Sequence, residues 1–277
     1  MAMTTPWHAR LAFILALLLP IYFMVAALGT KFGAWDWQTG LLTLTAGVGL
    51  ALMGAIALLA LVSLVLVLIR PPRIGWSSGV GALVIVGALF GFLAISASAA
   101  GDNPISDVST DTANPPSLSP KVLSDRAEEG ANPLNDYATP LKDTEMFGEA
   151  EEPLASQSHA DIIAQQYPDL TALPLGKMDV DSAASAIQLV MAEMGFRNIR
   201  YNPEMGTVEG MAETFWFGFK DDIVARIGED KIDFRSVSRV GRSDLGANAK
   251  RITALRTAVA AKLAELQKRA DAKAATG

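Results

Sequence analysis

The densest polar run in the chain lies between Arg235 and Arg256. It holds six basic side chains (Arg235, Arg239, Arg242, Lys250, Arg251, Arg256) against one acid, Asp244. Within it, Gly241-Arg-Ser-Asp-Leu-Gly246 leads directly into helical sequence. A glycine loop at a helix start presents free N–H groups and a positive dipole end. Arginines beside such a loop grip a carboxylate or phosphate in bidentate fashion. Arg235, Ser236, Arg239, Gly241, Arg242, Ser243 and Gly246 therefore form a candidate anion site for a lipid headgroup, a cell-wall acid or a small metabolite. The structural alternative uses the same residues. Ser243 or Asp244 would shape the turn and cap the helix, while Arg235 and Arg239 pair with the chain's own acids, such as Asp221, Asp222 or an acidic segment upstream.

Other chemistry is thinly represented. There is no cysteine, which excludes disulfides, thiolate nucleophiles, iron–sulfur clusters and thiolate zinc sites. The two histidines, His8 and His159, lie beside apolar sequence and in a polar segment, so neither reads as a catalytic base. Asp221 and Asp222 are adjacent and fit a solvated turn. Glu209 and Glu213 would serve acid–base chemistry only if buried in a cleft. Calcium binding by Asp102, Asp107 and Asp111 is conceivable, but their spacing does not match a calcium loop. No cofactor or metal is expected. The aromatics Phe215, Trp216, Phe217 and Phe219 read as core, with an aromatic ligand groove as the other option. Acidic net charge argues against nucleic acid as a partner.

The elements that must carry these residues fall into three parts. Residues 1–100 contain only five of the charged side chains: Arg10, Lys31, Asp36, Arg70 and Arg73. Three charge-free runs within them, about 11–29, 41–69 and 79–99, are long enough to span a bilayer. Pro20 should kink the first. Trp7, Trp35, Trp37 and Trp76 sit at span ends, where indoles favour the headgroup layer. Arg10, Arg70 and Arg73 place the N-terminus and the second connection in the cytoplasm of a bacterial inner membrane, and residues 101–277 outside it. The first run reads as an anchor rather than a cleaved signal, and Ser96–Ala100 as a small-residue helix end rather than a peptidase site. Gly87 and Gly91, with Gly79 before them, and Gly47, Ala51 and Ala55 make strips for close helix approach. They suit packing within the three helices, or a homo-oligomer seam through Gly87 and Gly91.

Residues 101–178 hold 14 acidic and four basic residues, rich in Pro, Asp, Asn, Ser and Thr. That composition reads as loop or extended chain, partly docked on the module C-terminal to it. Residues 179–277, with 15 basic and 14 acidic side chains, read as folded. A helix begins after Asp179 or Asp181 and stops at Gly195. Strands come next, at Phe196–Tyr201, Thr207–Phe219, Ile223–Ile227 and Lys231–Val237, joined by turns that include Lys220-Asp221-Asp222. A final helix from Asn248 to Ala270 carries Ile252, Leu255, Val259, Leu263 and Leu266 along one face. The expected fold is α+β: three N-terminal transmembrane helices, then a small module with a mainly antiparallel four-stranded sheet and flanking helices.

The stretch Asp233-Phe-Arg-Ser-Val-Ser-Arg-Val-Gly-Arg-Ser-Asp-Leu-Gly-Ala-Asn-Ala-Lys-Arg-Ile252 resembles the DUF1499 family, whose members show Asp-x-Arg-Ser-x-Ser-Arg-x-Gly-x-Ser-Asp-Leu-Gly-x-Asn-Ala-x-Arg-Ile. Every fixed position matches. Asn103-Pro-Ile-Ser-Asp-Val-Ser-Thr-Asp111 with Pro115-Pro116 is similar to the family's proline-rich opening, with Ser106 where an Asn is usual. Tyr167-Pro-Asp169 and Thr207-Val-Glu-Gly210 also fit, although Glu-Ala is commoner than Glu-Gly. The resemblance covers about residues 103–266 and implies that the acidic segment belongs to the domain. It implies no activity. The reading is an integral membrane protein with an external module that binds a ligand or partner without catalysis. The alternative is an envelope hydrolase or transferase acting on an anionic substrate.

Overall fold

The computed structural model describes residues 4–276. The chain divides into two compact units, one of residues up to Ser98 with the short segment Thr214–Gly218, the other of Ala99–Glu213 with Phe219 onward.

The first unit is built on helices α1 (Trp7–Lys31), α2 (Leu50–Ile69) and α3 (Trp76–Asp102), with Gln38–Gly49 wound as a π-helix that runs on into α2. All three hydrophobic stretches, Gln38–Ile69 being the second, are long and apolar enough to cross a membrane. Their contact surface is made of small residues and a few larger ones: Ala12, Ala16, Leu19, Met53, Ile56, Ala60, Ala82 and Val86. Small side chains let backbones approach where apolar burial gives no preference over lipid. Gly79 meets Leu64 on α2, with its Cβ position 3.1 Å from the leucine Cβ. At Gly87 and Gly91, expected on nearly the same face, an added Cβ would meet nothing within 4 Å.

The second unit centres on an antiparallel sheet of six strands, not the expected four. The elements are β1 (Asp107–Ser109), α4 (Pro120–Glu128), α5 (His159–Gln166), β2 (Leu173–Pro174), α6 (Val180–Glu193), β3 (Arg197–Asn202), β4 (Thr207–Glu213), β5 (Lys220–Ile227), β6 (Lys231–Ser238) and α7 (Ala247–Thr276). The order is β1-β6-β5-β4-β3, with β2 also paired to β6. The two extra strands come from the acidic segment. They cover the edge of β6 that would otherwise be open.

The acidic segment is thus no loose chain. Ser119 caps α4, and Ser158 with Asp161 forms a capping box on α5. Its apolar residues are sparse in sequence, yet Ile105, Val108, Tyr137, Leu141, Phe147, Ile162 and Ile163 join the main core. That core lies between the sheet and the helices, with Ile187 and Met191 of α6 and Ile252, Leu255 and Val259 of α7 buried in it.

Two strand expectations change. The run Thr207–Phe219 stops pairing at Glu213, which faces Lys220 across the hairpin. Gly218, at φ +68°, is left-handed and lies in the loop beyond the last pair. Phe215 and Trp216 are accordingly exposed rather than core. Lys220-Asp221-Asp222 opens β5 instead of forming a turn.

Candidate functional site

Side chains alternate across β6, so the motif residues sort onto two faces. Phe234, Ser236 and Ser238 share the face of α7. Asp233, Arg235, Val237 and Arg239 share the other. By register, Asp107, Asp222, Val224 and Glu209 lie on that second face too. It is covered by the segment around α4, through a small apolar cluster of Leu118, Val224 and Val237 flanked by Val122 and Leu134.

On this face the buried arginines meet buried carboxylates. Arg235 grips Asp107 with two bonds, Nε at 2.9 Å and Nη2 at 2.6 Å. Its guanidinium also lies 5.3 Å from the centre of the Tyr137 ring, and the Tyr137 hydroxyl donates to Asp107 at 2.5 Å. Burial works against the Arg235 charge, yet Asp107 outweighs it and the pKa is raised. Burial and then Asp107 push the Tyr137 hydroxyl well up, so it stays a donor. Arg239 grips Asp222 at 3.0 and 2.7 Å and reaches Glu129 at 3.0 Å. Arg126 from α4 donates to the same Asp222 at 2.7 Å. Glu209 accepts from the Ser119 backbone N–H at 2.5 Å and hydroxyl at 2.6 Å. Arg226 bridges Asp111 and Asp233, at 3.1 Å to each.

The α7 face has its own polar cluster. Asp244 accepts from the N–H groups of Gly246 at 2.8 Å and Asn248 at 2.6 Å. The Ser243 hydroxyl accepts from Leu245 N–H. Asn248 bonds Ser236, Ser238 and the Ser106 carbonyl. Arg251 reaches Asp221 at 2.6 Å and also contacts Ser236 and Asn248. Burial, with Asp221 adding to it, raises the Asp244 pKa. Asp221 and Asp222, adjacent in a strand, therefore serve opposite faces.

The candidate anion residues do not converge. Arg235 in β6 and Arg239 just past its end are four residues apart, about 13 Å at strand rise, and each is closed by its own carboxylate. Ser236 is fully buried under Asn248. Gly241, at φ +83°, turns its carbonyl to Ser106 and Asn132. The amides of Leu245, Gly246 and Asn248 are filled from inside by Ser243 and Asp244. Arg242 is exposed. Gly246, at φ +77°, also leaves room for Asn103: a Cβ there would sit 2.7 Å from the Asn103 Oδ1. Asn103 in turn accepts from the Tyr167 hydroxyl at 2.6 Å, and burial, with Asp244 nearby, pushes that hydroxyl up to about 12.

Beside this contact a groove of about 680 Å³ runs along α7, past Asn103, Tyr167, Gly246, Ala249, Lys250 and Thr253. His159 is buried, stacked on Tyr137 at 5.5 Å, and its Nδ1 has no hydrogen-bond partner among the described residues. No cluster of His, Asp or Glu suited to a metal occurs among the described residues. The conceivable calcium ligands Asp107 and Asp111 are committed to arginines. Sequence reasoning missed Asp107, Arg126, Tyr137 and Asn132 as partners of the motif. The one signal for them was the excess of acid upstream of a basic run.

No curated protein matches the chain, and no solved structure does. A family model described as "Protein of unknown function (DUF1499)" matches residues 107–259. That match takes in β1, the acidic segment, the whole sheet and half of α7, and it covers more than half of the chain. The chain belongs to the DUF1499 family of proteins of unknown function.

Proposed function

We propose that this is a multi-pass protein of the bacterial inner membrane whose second unit stands outside the cytoplasm and binds an envelope ligand or partner without catalysis. One observation carries the binding reading. The motif side chains are spent on internal pairs, while the groove along α7 is open, apolar along its length and flanked at one end by the exposed Lys250. Those features suit an amphiphile with an anionic head. A thermal-shift screen of the full chain with anionic envelope lipids and wall fragments tests the reading. Stabilisation that is lost in Lys250→Glu supports it, and no response across the panel counts against it. The orientation rests on Arg10, Arg70 and Arg73. Alkaline phosphatase fused after Gly277 should be active and after Arg73 inactive; the reverse pattern would invert the topology.

One further reading has an observation of its own. The open faces of Gly87 and Gly91 suit close approach by a second copy. Gly87→Leu with Gly91→Leu should then abolish cross-linked dimers in membranes.

A further inference from the structure

The connection between β4 and β5 has the sequence Thr214-Phe-Trp-Phe-Gly-Phe219. It contains no charge. Phe215 is 70% exposed and Trp216 48% exposed, and their rings stand edge to face with centroids 5.0 Å apart. Neither side chain enters the core between sheet and helices. The loop is six residues long where a tight hairpin needs two, so its aromatic tip is not a requirement of the turn. Residues 214–218 group with the apolar helices rather than with the sheet they grow from.

We propose that Phe215 and Trp216 seat in the headgroup layer of the bilayer that α1–α3 cross, and give the second unit its own attachment to that surface. The inference rests on the reading of α1–α3 as spans. Indole and phenyl rings exposed together at a loop tip match the interfacial layer, where an apolar body and a polar N–H are both satisfied. Length of chain supports the bilayer as the occupant. Only Asn103–Ser106 separate the end of α3 from β1, at most about 17 Å of extended backbone. A bilayer crossed by α3 is therefore within reach of the second unit's loops. A charge-free tip also lacks the side chains that would choose a specific soluble partner through complementary charge.

The test uses the full chain in lipid nanodiscs whose phosphatidylcholine is brominated near the headgroup. Wild-type fluorescence minus that of Trp216→Phe gives the Trp216 signal alone. The residual signal of the variant comes from Trp7, Trp35, Trp37 and Trp76 and reports the spans. The expected result is a drop of about twofold or more in the Trp216 signal on bromination, with protection from aqueous iodide. A Trp216 signal quenched by iodide and untouched by bromine, with the residual signal quenched by bromine, would overturn the inference while leaving the spans in place. A residual signal equally untouched by bromine would overturn the span reading and the inference with it. Phe215→Cys supplies a second probe, since the chain has no other thiol. An environment-sensitive fluorophore there should shift to the blue on bilayer insertion, and an emission unchanged from water would again refute the attachment.

Discussion

Asp107→Asn separates the structural role of the motif from an anion-binding one. The substitution keeps an acceptor for the Tyr137 hydroxyl but removes the charge that holds Arg235. Both side chains of the pair are almost completely buried, at 6% exposure for Arg235 and 5% for Asp107. What remains to the guanidinium is a long hydrogen bond, 3.3 Å to the Pro116 carbonyl, and the face of the Tyr137 ring. Removing one partner of such a pair costs about 3–5 kcal/mol, because the other charge is left buried. For a unit of this size that is a fall of about 6–20 °C in melting temperature. Arg239→Ala should cost less, about 1–3 kcal/mol, because Asp222 keeps Arg126 at 2.7 Å and Glu129 keeps Lys220 at 2.6 Å. The assay is calorimetric unfolding of the full chain in nanodiscs, with and without phosphate. The expected order is Asp107→Asn worse than Arg239→Ala, with no response to phosphate in the parent. An Asp107→Asn protein within about 1 kcal/mol of the parent would refute the buried-pair argument. A parent stabilised by phosphate, with that response lost in Arg239→Ala, would restore the arginines as a ligand site.

Other outcomes rest on single contacts. Burial lowers the His159 pKa, with Asp107 opposing and Arg235 adding to the effect. The unfolded chain then binds more protons than the folded one below about pH 6.5, and stability is lost as pH falls through that point. His159→Phe should flatten the acid limb below about pH 6.5 in pH-dependent melts. Gly246→Ala should cost more than Gly241→Ala. Both need positive φ, which costs a residue with a Cβ about 1–2 kcal/mol, but only at Gly246 does the new Cβ strike Asn103, at 2.7 Å against a nearest contact of 3.5 Å for Gly241. Limited proteolysis should leave residues from about 103 onward intact as one fragment, since the acidic segment supplies core side chains and two strands. Early loss of everything before residue 179 would contradict that packing.

The sequence was legible where periodicity is long. The apolar runs matched α1, α2 and α3, and the stripe Ile252, Leu255, Val259 and Leu263 matched the buried face of α7. Short elements were not legible. Strands of three and two residues, β1 and β2, have no period to read, and their pairing with β6 is a tertiary event. The alternation Phe215, Phe217, Phe219 imitated a strand, but pairing ends at Glu213 and these residues form the loop to β5. Lys220-Asp221-Asp222 imitated a turn because adjacent acids favour one. It became a strand because Arg251 waits on one face and Arg126 with Arg239 on the other. The candidate site was half visible. The basic run stood out, and its pairing with the chain's own acids was one of two readings open. Which acids they are depends on Asp107 lying beside Val237, a contact 130 positions apart in sequence.

That separation explains why one motif reads as two interleaved halves. In Asp233-x-Arg235-Ser236-x-Ser238-Arg239 the odd positions face the acidic segment and the even positions face α7. Neither half is complete alone. The odd half needs Asp107, Asp222 and Glu129, and the even half needs Asn248 and Ser106. A slip of β6 by one residue would turn two arginines into the apolar core and two serines toward carboxylates. Buried ion pairs add little net stability over well-packed apolar residues, but a slipped register here would leave at least two charges unpaired in the interior. The penalty falls on the wrong structure rather than being gained by the right one. The acidic segment and the basic motif therefore act as one device that fixes strand register.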